Sequence, residues 1–158
     1  MNVYFSEILI KDVNPNCKAI YNKVDKNRYQ IKLLSVRCPF GIEDFNSKLY
    51  LNVELKNDNH YHQTMAKDIQ LIENYLLKNS NKEKNSNIKN NKVNDTLFKM
   101  TIPQINKKII TKCYNKQKEC NIYDIKGATC DIIVEINTIW EFGNKIGVQF
   151  TVKTINIL

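Results

Sequence analysis

The stretch "LYLNVEL", residues 49–55, puts Leu49, Leu51, Val53 and Leu55 on one side of an extended chain and Tyr50, Asn52 and Glu54 on the other. Period two is the signature of a strand with one buried face, and it recurs through most of the chain. "VYFSEILI" (3–10) and "RYQIKLLSVR" (28–37) read as strands that break alternation at one point, as strands do where they bulge or bend. "LFKMTIP" resumes it with Phe98, Met100 and Ile102, and residues 97–114 hold one or two strands. The chain closes with a hairpin: Ile132, Val134, Ile136, Thr138, Trp140 and Phe142 share a face of one arm, Val148, Phe150 and Val152 of the other. A slip then places Ile155 and Ile157 on that face, and Gly143 and Asn144 supply the positive φ of the turn.

One segment changes period. In "HYHQTMAKDIQLIENYLLK" (60–78), Tyr61, Met65, Ile69, Ile72 and Leu76 recur at spacings of four and three, the stripe of an amphipathic helix, with Asp58 and Asn59 as caps. Residues 79–95, "NSNKEKNSNIKNNKVND", offer only Ile88 and Val93 for burial and are expected to form a flexible loop, because little apolar surface is there to offset chain ordering.

Three strands, one helix and further strands exclude the β-α-β alternation of a parallel doubly wound sheet. The order fits a mainly β protein, a β-barrel with one helix: an elaborated OB-fold forming a single domain over 1–158, with another α+β sandwich as the alternative. OB barrels bind oligonucleotides across their second and third strands and the loops joining strands one to two and four to five.

No run approaches the ~20 apolar residues of a membrane span, and "MNVYFSEILIKDVN" lacks the basic and apolar blocks of a secretion signal; a soluble protein is expected. Cys17, Cys38, Cys113, Cys120 and Cys130 form no CxxC pair, which suits a reducing intracellular compartment, host cytoplasm or nucleus if the protein is viral. Cys113 and Cys120 are too far apart in sequence, with no histidine nearby, for a structural zinc site, and the "HYH" histidines read as solvated residues of a helix start. Phosphate loops, GxGxxG, GxSxG and HExxH are all absent. Glu43 with Asp44, Glu54 with Asp58 and Asp131 with Glu135 read as strand-edge carboxylates. No catalysis, metal or cofactor is expected.

The formal net charge is +8, carried by lysine in a chain rich in asparagine and isoleucine, a trio that an A+T-rich coding sequence produces. Charge alone therefore separates drift from polyanion affinity poorly; its placement says more. Single strands are held by a positive groove interleaved with rings on which bases stack. "NPNCKAIYNKVDKNRY" carries Lys18, Tyr21, Lys23, Arg28 and Tyr29, and "KKIITKCYNKQK" carries Lys107, Lys108, Lys112, Tyr114, Lys116 and Lys118. These fall where the binding loops of an OB barrel are expected, and Tyr50 adds an outward ring. Trp140, in register with Ile132 and Val134, reads as packing that closes the barrel rather than as a stacking platform.

"IWEFGNKIGVQFTVKTINI" and "VRCPFGIEDFNSKLYLNVEL" together resemble single-stranded-DNA-binding proteins of large double-stranded DNA viruses, the nucleocytoplasmic group. The positions that carry the likeness are Trp140, Gly147, Phe150, Val152, Pro39, Gly41, Lys48, Tyr50 and Leu51; Phe150 stands where such proteins often have tryptophan. The resemblance implies an OB-fold that coats single-stranded DNA, tolerant of sequence, in support of viral replication, repair or recombination. RNA is the neighbouring ligand class. The competing reading is a virion-associated or protein-docking β-domain whose lysines bind nothing.

Overall fold

The computed structural model describes residues 5–90 and 95–158. In chain order, β1 (Ile8–Asn14) and β2 (Cys17–Asn22) make a hairpin; β3 (Tyr29–Arg37), β4 (Ile42–Phe45) and β5 (Lys48–Leu55) precede helix α1 (His60–Leu77). Then come β6 (Glu83–Asn85), β7 (Ile88–Asn90) and β8 (Thr96–Ile102). Two small hairpins, β9 (Gln104–Ile105) with β10 (Lys108–Ile109) and β11 (Lys112–Asn115) with β12 (Lys118–Glu119), lead to the long hairpin of β13 (Thr129–Phe142) and β14 (Lys145–Ile157). Residues 3 and 4 of the strand expected at 3–10 lie outside the described residues; Phe5–Glu7 is a 3-10 turn and pairing starts at Ile8.

The alternating strands close on themselves. β3 pairs with β13, meets β5 at Arg37 and Glu54, β5 pairs with β8, β8 meets β14 in parallel at Thr101 and Thr151, and β14 returns antiparallel to β13. Inside the ring Leu33, Leu51, Phe98, Ile132 and Phe150 are buried. Phe98 and Phe150 meet edge to face, centroids 5.1 Å apart, a geometry worth about 1 kcal/mol beyond area burial. This is the mainly β barrel with one helix expected from the sequence.

The helix stripe is buried at Met65, Ile69, Ile72 and Leu76, while Tyr61, its first expected member, is exposed. Asn59 is the cap: its side chain accepts the His62 amide. His62 is not solvated as expected. It is buried, its Nδ1 accepting from the Lys56 amide at 3.1 Å and its Nε2 3.1 Å from the Ser35 carbonyl, so the ring staples the helix start to β3.

Two expectations are corrected. Only two barrel strands, β3 and β5, precede the helix; β1 and β2 stand outside the ring as an extension of β13. Alternation marks a strand but does not say whether it joins the ring. The stretch at 79–95, expected as a flexible loop, holds two strands: β6 pairs with β14, β7 with β8, and Ile88 is buried. Residues 91–94, including Val93, lie outside the described residues. What orders this polar stretch is hydrogen bonding to a buried carboxylate, which composition does not reveal.

Two of the expected breaks in alternation occur as bulges. Ser35, at φ 53°, separates Leu33 from Val36, and Lys153 is skipped between Val152 and Thr154. Among the residues of the terminal turn only Gly143 has positive φ, at 59°, with Asn144 in an ordinary conformation; glycine first is the type II′ arrangement.

Candidate nucleic-acid interface

β8 and β14 are paired through the backbone only at Thr101 and Thr151 and then splay, with β6 following β14 and β7 following β8 into the gap. Above this gap lies a cleft of about 530 Å³. Its walls are Lys48 and Tyr50 from β5, Lys99 and Thr101 from β8, Thr138, Trp140 and Phe142 from β13, and Gln149 from β14, floored by the segment from Asn85 to Lys89. In ring order β5 and β8 are the second and third strands and β13–β14 the last hairpin, the elements by which OB barrels take oligonucleotides.

Trp140 faces this cleft because of a third bulge. Ile136 opposes Phe150 and Thr138 opposes Gln149, so Asn137 is the extra residue of β13. Beyond it the faces exchange: Ile139 is buried, and Thr138, Trp140 and Phe142 turn outward. The bulge is pinned from several sides. Arg28 Nη1 donates to the Asn137 carbonyl at 2.7 Å, Asn137 Nδ2 donates to Gln149 Oε1 at 3.0 Å, and Thr138 Oγ1 to the same oxygen at 3.3 Å. The reading of Trp140 as core is therefore overturned.

Directly across the hairpin from Trp140 is Gly147. A Cβ there would lie 2.5 Å from Cζ2 and 2.6 Å from Cε2 of the indole, closer than real contacts allow. Glycine is required because the ring lies on the strand backbone. Tyr50 has Lys99 Nζ 4.1 Å from its ring centroid, a cation–π contact that keeps one ammonium on the cleft. Phe142 is 83% exposed at the rim. The acid on the wall, Glu141, is paired with Lys82 at 3.0 Å, which leaves Lys48, Lys89 and Lys99 to set the sign of the potential.

The floor is held from below. Glu73 of α1 is buried and accepts from Ser86 Oγ at 2.7 Å, the Asn87 amide at 2.9 Å and Asn87 Nδ2 at 3.1 Å; Asn87 Nδ2 also donates to the Val148 carbonyl. Glu73→Ala leaves these donors without their acceptor, at about 1–3 kcal/mol for a buried hydrogen-bonding group. The expected result, read by hydrogen exchange, is faster exchange at Asn87 and Ile88 with the β13–β14 amides unchanged.

Of the residues expected from the sequence to bind nucleic acid, Tyr50 lines the cleft and the others do not. Tyr29 is buried at 5% exposure and belongs to the core. Arg28 is committed to the bulge carbonyl, with its Cζ 4.6 Å from the Tyr21 ring centroid, so these two side chains occupy one another. Lys18 and Lys23 are exposed on β2 and the turn after it. Lys107 lies in the β9–β10 turn and Lys108 starts β10; Gln104 at the base of that hairpin donates to the Ser47 carbonyl, one residue from Lys48. Lys112 pairs with Glu119 at 3.3 Å, Tyr114 is half-buried, and Lys116 and Lys118 sit at the β11–β12 turn, against the far half of β14. Lys48, Lys89, Lys99, Trp140 and Phe142 line the same cleft and were not among the residues expected to bind nucleic acid. For Trp140 the signal lay in the resemblance motif, which joined it to Gly147, Lys48 and Tyr50.

Among the described residues no group of three His, Cys, Asp or Glu side chains is placed to hold a metal ion. No helix among them is long and apolar enough to cross a membrane.

Solved structures share this architecture. Gp2.5, a single-stranded DNA binding protein encoded by bacteriophage T7, matches with a TM-score of 0.56 at 13% identity, over 82% of this chain and 86% of that one. The single-stranded DNA-binding protein from bacteriophage Enc34 in complex with ssDNA matches with a TM-score of 0.59 at 11% identity, over 96% of this chain and 95% of that one. Its C-terminal truncation gives 0.58 at 12% identity, over 98% and 96%. The chain has their fold. No protein-family model and no curated protein matches it.

Proposed function

We propose that this protein binds single-stranded DNA in the cleft between β5–β8 and the β13–β14 hairpin, without catalysis and with tolerance of sequence. The observation that carries the reading is the Asn137 bulge, which turns Trp140 out of the core to stand with Tyr50 and Phe142 among Lys48, Lys89 and Lys99. Rings give every base a stacking partner, and lysines neutralise phosphates irrespective of sequence. The likeness to phage proteins that bind ssDNA, one solved with it, supports the same ligand. Lys107 and Lys108, on the hairpin beside Ser47, extend the basic path from Lys48.

The role that follows is intracellular protection of single strands during replication, repair or recombination of a double-stranded DNA virus. The phage neighbours support that viral class broadly. Assignment to the nucleocytoplasmic large DNA viruses is narrower and rests on the two sequence motifs.

Titrating labelled oligo-dT at several salt concentrations tests the proposal. Affinity is expected to fall with salt, log K against log [salt] having a slope of about −0.7 per neutralised phosphate. Lys99→Ala is expected to make that slope shallower by about 0.7. Absence of binding at low salt, or a salt-independent affinity, would refute the reading, and competition with matched RNA assigns the preferred strand.

A further inference from the structure

We infer that Cys113 and Cys120 are a peroxide-convertible dithiol that closes the base of the β11–β12 hairpin. Their sulfur atoms are 3.2 Å apart, and the Cys120 amide donates to the Cys113 carbonyl at 2.9 Å. They continue the register of Asn115 with Lys118 and Tyr114 with Glu119 by one step. A hydrogen-bonded antiparallel pair holds its Cα atoms about 5.5 Å apart, inside the range that a disulfide spans. The hairpin already has the required geometry.

The two sulfurs differ in access. Cys113 is 2% exposed and its thiol is pushed up to about 12, first by burial and then by Cys120, so it stays protonated near neutral pH; Cys120 is half-buried and meets solvent first. A hydroperoxide would oxidise Cys120 to the sulfenic acid, its O–O bond breaking and water (or an alcohol) leaving. Cys113 Sγ would then attack Cys120 Sγ, losing its proton as the S–O bond breaks and a second molecule departs as water. Two thiols lose two electrons and the peroxide gains them. A thiol reductant reverses the change. The other neighbouring pair, Cys38 and Cys130, is fully buried, with Cys38 pushed up by its hydrogen bond to Cys130 and by burial, so peroxide does not reach it in the folded chain.

The loop so closed carries Lys116 and Lys118 and is otherwise attached to the sheet through the parallel pairing of β11 with β14. Oxidation fixes these lysines in place. The inference is independent of the nucleic-acid reading, since its readout is sulfur chemistry.

The test treats the reduced full chain with hydrogen peroxide, alkylates the remaining thiols and maps the cysteine peptides by mass spectrometry. The expected product has lost two hydrogens, links Cys113 to Cys120, alkylates at Cys17, Cys38 and Cys130, and reverts with dithiothreitol. In Cys113→Ser no such link forms and the Cys120 sulfenic acid is trapped by dimedone. Alkylation of both Cys113 and Cys120 after peroxide, over-oxidation of Cys120 in the wild-type chain, or a Cys38–Cys130 link formed in preference would each overturn it.

Discussion

Trp140→Ala is expected to weaken oligo-dT binding by about 5- to 150-fold, the equivalent of the roughly 1–3 kcal/mol that one base–ring stack contributes. The slope of log K against log [salt] should stay where it is, because an indole neutralises no phosphate. That separates it from Lys99→Ala, which changes the slope. The barrel survives the change, since Ile139, Val148 and Phe150 on the inner face of the same hairpin keep their burial. Tyr50→Ala should act in the same direction. Fluorescence anisotropy over a salt series reads both quantities, and a Trp140→Ala protein that binds like wild type would remove the cleft from consideration.

Gly147→Ala is expected to abolish the same contact from the opposite strand. The new methyl would stand 2.5 Å from Cζ2 of Trp140, in a position where the strand backbone cannot retreat without breaking the register with Asn85 and Trp140. The indole must leave its seat. Overpacking of this kind costs about 1–3 kcal/mol, seen as a lower midpoint in urea, and the fluorescence of the protein's single tryptophan should report a more solvated ring. Binding should fall to the level of Trp140→Ala. Combining the two substitutions tests the mechanism: the double variant should bind no worse than either single one and regain the stability that Gly147→Ala loses, because no ring remains to be struck.

These two residues also show what was legible in the sequence. The alternation at 49–55 and the stripe from Met65 to Leu76 were sufficient to place β5 and α1, because each pattern has one register that buries its apolar side. In "INTIWEF" two registers are equally good. Without a bulge Ile136, Thr138 and Trp140 share a face; with one at Asn137, Ile136 and Ile139 do. The choice is made by Arg28, distant in sequence, and by Gln149 and Gly147 on the other arm of the hairpin, which hold the bulge open and seat the indole. Arg28 was legible as a cation but not as one already committed to a carbonyl. Likewise Tyr29 and Tyr50 both lie on strands beside basic residues, and only the folded barrel distinguishes a core ring from one beside the cleft. The barrel strands were numbered differently for a simpler reason: β1 was counted as the first of them, which shifted the loops assigned between them.

The position of β14 has a consequence for how the molecule forms. The strand pairs with β13 along its length, with β6 and β11 in parallel at its two ends, and with β8 at the single bridge that completes the ring. Apart from its hairpin partner β13, the neighbours of residues 145–157 are thus distant in sequence. Until that strand docks, β5, β8 and the helix present an unclosed apolar surface. Non-local pairing of this kind makes folding slow, and an unpaired edge is open to other chains while it lasts. The folding barrel is therefore most exposed to aggregation before β14 docks, and a chain cut within β14 would lose the closure of the whole ring.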